Sequence, residues 1–280
     1  TTTITYDANG NLTTDENGYH FLWNGWNRLV QVRDASNAVV ATYGRDALGR
    51  RIAVEEGETI TDRYFSSEWQ LLEEATDGNT VKRYVWSPVY VDALVLRDRD
   101  TDGNGTLDER LHALQDANWN VTALVGASGT VVERYSYDPY GQATVRNASG
   151  TALAESVKDW VFLHQGGEQI AAGDYEFRNR AYSPTLGRWL TNDPLGFKAG
   201  DNNWYRYEGN DPENRADPEG LKGAAITPIS QLPIGRPSLV PINSPPNIMP
   251  VWRFIFPPIQ SMPYEGVTPL PPGYPEGCLL

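Results

Sequence analysis

A recurring turn is the feature that most constrains the fold of this 280-residue chain. An alternating apolar stretch ends in an aromatic residue, which is followed by Asp or Asn and then by a glycine turn. Copies lie at residues 6–10, 23–29, 43–50 and 137–141. Because Asp and Asn bond to the turn backbone and Gly supplies a positive φ, each copy predicts the corner of a β-hairpin. Repetition in the same order favours an array of two-stranded units over an ordinary meander.

The composition agrees with many short strands and argues against some classes of function. Tyr (15) and Trp (9) outnumber Phe (7), and Gly (26) and Pro (20) are abundant, which suits pleated strands joined by turns. The net charge of -13 argues against nucleic acid, since phosphate binding needs clustered Lys and Arg. No apolar run is long enough for a membrane span. The single cysteine, Cys278, excludes an internal disulfide.

The segment 98–109 has the spacing of a calcium-binding loop. Its oxygen-bearing residues occupy positions 1, 3, 5, 7, 9 and 12 of an EF-hand pattern, and Gly103 provides the sharp turn at position 6. The predicted calcium ligands are Asp98, Asp100, Asp102, Asn104, Thr106 and Glu109. Both flanks have the character of strands, so the sequence predicts a lone Ca²⁺ loop at a hairpin tip. A solvated acidic turn is the alternative interpretation.

The composition changes after Leu221. Most of the prolines of the chain lie beyond this residue, and charged residues become rare there. Because proline removes a backbone donor and blocks helices, this segment is predicted to be an extended tail. Its apolar cluster at 251–256 is expected to lie against the β-sheet.

Three motifs precede this change. They read RAYSPTLGRWLTNDPLG at 180–196, NWYRY at 203–207 and DPEGL at 217–221. Together they closely resemble the repeat-associated core domain of bacterial Rhs and YD-repeat proteins, including the C components of Tc toxins. With the repeats counted, the resemblance covers about residues 1–221.

The resemblance implies a hollow shell built from a spiralling β-sheet and plugged at one end by the core domain. We therefore expect an all-β fold: an antiparallel YD-repeat sheet forming a partial shell or spiral, then a plug-like core and an extended Pro-rich tail. The expected domains are a repeat sheet at 1–145 that includes the calcium hairpin, a core at 146–221 and a variable tail at 222–280.

The resemblance also implies chemistry. In this family two aspartates and an arginine cut the chain just after the DPxGL motif, which maps onto Asp193, Asp217 and Arg180, with the bond between Leu221 and Lys222 as the scissile bond. Two carboxylates held close cannot both ionise, so such a pair can act as acid and base toward an amide. The enzyme activity would be at most a single-turnover aspartyl self-cleavage. Two ordinary Asp-Pro turns are the alternative explanation.

Two functions follow as hypotheses. The first is the C-terminal part of an encapsulating shell of the polymorphic-toxin type, which cleaves itself after Leu221. The second is a non-cleaving, calcium-stabilised adhesion or carbohydrate-binding module at the cell surface. The expected partners are the chain's own tail and the rest of a longer shell or a companion shell protein. By resemblance, the expected location is secreted or at the bacterial cell surface.

Overall fold

The computed structural model describes residues 2–225 and two further strands, 238–241 and 252–255. The chain divides into a unit spanning Thr1–Pro228 and another spanning Ile229–Leu280. In the described ranges the regular structure consists of β-strands and short 3₁₀ turns. Among these residues, no helix has the length and apolar character needed to cross a bilayer.

The first unit is dominated by one antiparallel sheet whose neighbouring strands are consecutive in the chain. Its fourteen described strands are β1 (Thr5–Tyr6), β2 (Leu12–Thr14), β3 (His20–Trp23), β4 (Leu29–Arg33), β5 (Val39–Arg45), β6 (Arg51–Glu56), β7 (Thr59–Phe65), β8 (Leu71–Thr76), β9 (Asn79–Trp86), β10 (Leu94–Arg99), β11 (Glu109–Gln115), β12 (Val121–Gly126), β13 (Val131–Tyr137) and β14 (Ala143–Asn147). The predicted all-β antiparallel fold is confirmed. Between β9 and β10 the chain makes a wide turn, which the Ser87 N–H closes by donating to Ala93 O.

The repeated corners share one hydrogen-bond arrangement. Asp7 Oδ1 accepts the backbone N–H groups of Asn9 and Asn11, at 2.9 and 2.8 Å. Gly10, at φ 82°, donates its N–H to Asp7 O at 3.1 Å. The same arrangement begins at eight further residues: Asp15, Asn24, Asp34, Asp46, Ser66, Asp116, Asp138 and Asn147. The side chain thus satisfies the loop backbone and fixes each corner.

The core segment covers the buried face of this sheet. Its strands β15 (Glu168–Gln169), β16 (Tyr175–Phe177), β17 (Arg180–Ser183) and β18 (Arg188–Trp189) form a four-stranded antiparallel sheet. A shorter pair joins β19 (Arg215–Ala216) to β20 (Ala224–Ala225). Residues 150–165 form a loop that ends in a 3₁₀ turn at His164–Gly166.

Aromatic side chains make the inner packing rigid. Tyr182 and Tyr207 stack with their ring centroids 3.8 Å apart, and Phe177 meets the face of Trp189 edge-on at 5.8 Å. They share one apolar cluster with leucines of the large sheet, such as Leu124. Close packing of this kind leaves little freedom to β17 and β18, which carry the candidate site.

The second unit contains one described hairpin. Its strands β21 (Ser238–Pro241) and β22 (Trp252–Ile255) pair antiparallel, with Leu239 opposite Phe254. The remaining tail residues, including Cys278, lie outside the described residues. Packing of the tail against the sheet stays a prediction.

Candidate active site

Arg180 joins the two aspartates that the core motif singles out. It lies on β17, only 5% exposed, with its guanidinium carbon 4.1 Å from the centroid of the Trp189 ring. Its Nη2 lies 2.9 Å from Asp193 Oδ2 and 3.6 Å from Asp217 Oδ2. Since both distances start from one nitrogen, the two carboxylates face each other across a single guanidinium group. The structure therefore brings all three side chains together.

Asp193 both closes a β-turn and pairs with Arg180. Its Oδ1 accepts the N–H of Leu195 at 2.8 Å, and its carbonyl accepts the N–H of Gly196 at 2.9 Å. These bonds form the β-turn expected of the Asp-Pro-Leu-Gly sequence. The second carboxylate oxygen is left to face Arg180, with the side chain 7% exposed. The turn uses one carboxylate oxygen and leaves the other to pair with Arg180, so the turn orients the carboxylate without competing with the ion pair.

Asp217 directly follows β19 and is almost completely buried, at 2% exposure. Its Oδ1 accepts the N–H of Leu221 at 2.9 Å. Burial raises the pKa of Asp217, and the nearby Asp193 charge adds to the rise. The amides of Leu221 and Lys222 and the Arg180 guanidinium lower the pKa only in part. Asp217 therefore keeps a proton to higher pH than an ordinary aspartate.

The backbone before the predicted scissile bond is held tightly. Gly220 has φ 65°, and a Cβ there would lie 2.6 Å from Phe177 O. Arg180 Nε donates a hydrogen bond to Gly220 O. One residue earlier, Glu219 O accepts both the backbone N–H and the side-chain amide of Asn179, at 3.2 and 3.0 Å. Only glycine fits position 220, because a side chain would be both strained and blocked.

A polar cleft of about 230 Å³ opens beside these groups. Its lining includes Arg180, Asp193 and Asp217, and also both residues of the predicted scissile bond, Leu221 and Lys222. Water has room in such a cleft and finds polar partners there. The arrangement can therefore present water, two carboxyl groups and an amide to one another.

One buried acidic residue in this cleft lies outside the residues that the motif singles out. Glu208 is 3% exposed and lines the cleft with Asp217. Burial, followed by the Asp217 charge, raises the pKa of Glu208 to about 9. Its position next to the turn residues Gly209 and Asn210 carries no sequence signal that separates it from a surface glutamate.

The predicted calcium ligands are arranged differently. The two carboxylate oxygens of Asp98 accept hydrogen bonds from Arg110 at 2.7 and 2.8 Å. Glu109 pairs with Arg99 at 2.9 Å and with Lys158 at 2.8 Å. The first and last ligands of the loop are therefore engaged with cations on the neighbouring chain segments.

The loop tip is closed by its own backbone. Asp100 accepts the N–H groups of Gly103 and Gly105 at 2.8 and 2.7 Å, and Asp102 accepts the Asn104 side-chain amide at 3.0 Å. Nowhere in residues 2–225 or in the two tail strands do three or more His, Cys, Asp or Glu side chains surround one point suited to a metal. Calcium binding requires Asp98 and Glu109 to leave their cationic partners, and it stays a prediction.

Calcium is expected to raise the melting temperature if the loop binds it. A ligand present at 100 times its Kd adds about 2.7 kcal/mol to the free energy of unfolding. Thermal unfolding with Ca²⁺ and with chelator measures the effect, and Asp100→Ala should abolish it. Glu58→Ala, on an exposed hairpin outside the loop, is the control. Identical melting temperatures with and without chelator would show that the loop is only a turn.

The chain is similar in sequence to known toxins and toxin subunits. No family model matches it. It is 27% identical to double-stranded DNA deaminase toxin A of Burkholderia cenocepacia over 78% of this chain and 17% of that protein. It is also 27% identical to toxin subunit YenC1 of Yersinia entomophaga over 77% of this chain and 23% of that protein. The chain thus spans about a fifth of the length of these relatives.

Solved structures share the fold. The TcdB2–TccC3–Cdc42 crystal structure superimposes with a TM-score of 0.59 and 20% identity, covering 77% of this chain and 11% of that one. The Photorhabdus luminescens Tc holotoxin pore gives a TM-score of 0.60 and 20% identity, covering 80% and 11%. The resemblance carried by the repeats and the core motif is therefore confirmed: the homologues of this chain are Tc toxin subunits and Rhs-type toxins.

Proposed function

We propose that this chain is the C-terminal part of an encapsulating toxin shell and that its core cuts the backbone between Leu221 and Lys222. One observation carries the proposal. A single nitrogen of Arg180 lies 2.9 Å from Asp193 and 3.6 Å from Asp217, while Asp217 bonds to the N–H of Leu221 at the predicted cleavage site. Two ordinary Asp-Pro turns would form without a buried arginine between them. A buried guanidinium group is costly unless carboxylates pair with it, so its presence indicates that the two aspartates are held together for a reason other than turn formation.

The reaction assigns different roles to the two carboxyl groups. Asp193, paired with Arg180, takes a proton from a water molecule in the cleft, and that water adds to the carbonyl carbon of Leu221. Asp217, which is buried and holds its proton to higher pH, donates that proton to the nitrogen of Lys222. The C–N bond then breaks, leaving a carboxyl group on Leu221 and an amine on Lys222. An acid–base pair of this kind requires one carboxyl group that keeps its proton, and burial supplies this for Asp217.

Similarity to toxin subunits supports the proposed container role. YenC1 is a toxin subunit, and one solved neighbour of this fold is TcdB2–TccC3 without its hypervariable C-terminal region. In this chain the change in composition falls directly after Leu221. We propose that the segment from Lys222 onward is the corresponding variable region, that a companion shell protein completes the container and that the assembly is secreted.

Cleavage is expected to appear directly in the mass of the purified protein. An intact-mass spectrum under denaturing conditions should show two species that divide after Leu221. Asp193→Asn should give one uncut chain of full length, because it removes the base without changing the side-chain shape. Asp201→Asn is a matched control, since Asp201 lines the same cleft but is paired with Arg206.

A single uncut species in the unmodified protein would contradict the proposal. The chain would then be better described as a non-cleaving YD-repeat module, and binding to glycans or cell surfaces would be the next measurement. Cleavage at another bond, or undiminished cleavage in Asp193→Asn, would show that the assignment of residues is wrong.

A further inference from the structure

Glu208 combines three unfavourable features in one residue. Its backbone is left-handed, at φ 51°, which costs energy in a residue that has a Cβ. Its side chain is buried, at 3% exposure. Among the described residues, neither carboxylate oxygen accepts a hydrogen bond of full geometry, and the backbone N–H of Asp217 lowers the pKa of Glu208 only in part. Buried polar groups normally have partners, so a carboxyl group kept in this state indicates a partner that arrives later.

The neighbourhood of Glu208 shows where that partner would lie. A Cβ built on Gly223 would be 3.4 Å from Glu208 Cα and 3.7 Å from Glu208 Cδ. The carboxyl group therefore lies against the backbone that begins at Lys222, on the downstream side of the predicted cleavage. Asp217 repels a charge on Glu208 and Arg215 attracts one.

Arg215 holds the same downstream backbone by a different contact. Its Nη2 donates to Gly223 O at 2.8 Å. The strand that carries it, β19, pairs with β20 so that Arg215 lies opposite Ala225 and Ala216 lies opposite Ala224. None of these contacts uses the Leu221–Lys222 bond, so they remain available when that bond is cut.

We propose that Glu208 and Arg215 form a clamp that retains the segment starting at Lys222 after cleavage. The inference rests on the proposed cleavage. Hydrolysis consumes one water molecule and turns the neutral amide nitrogen of Lys222 into an amine. An α-amine has an ordinary pKa near 8, so it takes up a proton at neutral pH. A new ammonium group is thus created in the cleft, whose acidic lining residues are Asp193, Asp201, Glu208 and Asp217.

Cleavage then changes the role of Glu208. Before the cut, burial and the nearby Asp217 keep its carboxyl group neutral. After the cut, the ammonium of Lys222 favours the ionised form, and an ion pair in a partly closed cleft is stronger than one in water. Only the Glu208 contact is specific for a free N-terminus, because an intact amide carries no charge, whereas the Arg215 contact to Gly223 O is already present before the cut.

Retention of the cut segment tests the clamp in the full 280-residue chain. Denaturing mass spectrometry measures cleavage, and the release of the 222–280 segment under native conditions is followed by size-exclusion chromatography after dilution. In the cut fraction, Glu208→Gln should release the segment at least about tenfold faster than the unmodified protein, equivalent to 1.4 kcal/mol. Glu213→Gln, on an exposed residue of the same loop, should change neither quantity.

Two further variants keep the test decisive. Glu208→Asp retains the charge and should restore slow release at least in part. Arg215→Ala, which loses the contact to Gly223, should also speed release and serves if Glu208→Gln does not fold, as judged by thermal unfolding. Unchanged release in Glu208→Gln and Arg215→Ala would overturn the clamp and leave the cleavage proposal intact. An unmodified chain that never cuts would overturn both.

Discussion

Replacing Asp217 by asparagine is expected to leave the chain as one uncut species. Positioned general acids contribute about 10²–10⁴-fold to a rate, and asparagine cannot donate a proton to the Lys222 nitrogen. Its side-chain oxygen can still accept the Leu221 N–H that Asp217 accepts. The time course of cleavage after refolding, followed by intact mass, measures the effect. Asp211→Asn, an exposed aspartate nearby, should cut at the unmodified rate.

The same substitution is expected to raise stability at neutral pH. Because burial raises the pKa of Asp217, the folded chain binds the proton more tightly than the unfolded chain. Stability therefore falls as pH rises from the ordinary aspartate pKa through the raised one, and asparagine removes that loss. Thermal unfolding of Asp193→Asn with and without Asp217→Asn compares two uncut chains. The stability gained by the double variant should grow as the pH rises from acid to neutral.

Loss of both cleavage and stability in Asp217→Asn would mean that Asp217 is a structural ion-pair partner and not an acid. Normal cleavage would remove it from the reaction altogether. The combination of lost cleavage and preserved folding is the outcome that only the acid role explains, since active sites often hold groups that cost stability.

The hairpin corners can be predicted where glycine marks them. At Asp7, Asp46 and Asp138, a glycine three residues later supplies the positive φ, and this spacing is visible in the sequence. Other corners place a different residue in the left-handed conformation, such as Asn37, at φ 68°, and Trp69, at φ 62°. The repeat pattern does not mark these corners, because they lack the glycine and no simple rule predicts a tryptophan with positive φ. Packing and the side-chain cap together fix the left-handed conformation at such a residue.

The candidate site is predictable only through its motif. Asp193 and Asp217 are far apart in the chain, and their meeting depends on the stacking of Tyr182, Trp189 and Tyr207 in the core. Residue patterns describe local periodicity and do not reveal such contacts. Glu208 escapes prediction for the same reason, because its burial comes from elements distant in sequence.

The calcium prediction is limited for the same reason. The spacing of oxygens within 98–109 fits a metal-binding loop, but it does not show which side chains lie opposite them on the paired strand. In the sheet register Asp98 lies directly opposite Arg110, which supplies a bidentate partner without any metal. Whether calcium competes with that arginine is a question of affinity, which the chelator measurement addresses.

A buried ionic cluster ties the core sheet to the large sheet through Glu168. Its Oε1 lies 2.6 Å from Arg63 Nη2 and its Oε2 lies 2.5 Å from Arg51 Nη2. Both arginines are buried, and they come from the neighbouring strands β6 and β7. The carboxylate on β15 therefore pairs with both buried arginines, and Glu74 supplies a second negative charge to Arg63, at 3.2 Å.

Glu168→Gln is expected to lower the free energy of unfolding by about 3–5 kcal/mol, because it leaves buried Arg51 without its direct ion-pair partner and Arg63 with Glu74 alone. Burial alone raises the pKa of Glu168, but Arg51 and Arg63 more than offset this, so the pKa is lowered. The stability it contributes is therefore present above the ordinary glutamate pKa and is lost as pH falls through the lowered one. Urea unfolding of the uncut Asp193→Asn chain should show a deficit in Glu168→Gln that shrinks in acid. Glu58→Gln, on an exposed hairpin, should show none. A deficit below about 1 kcal/mol, the range of exposed ion pairs, would mean that water screens the cluster and that apolar packing alone joins the two sheets.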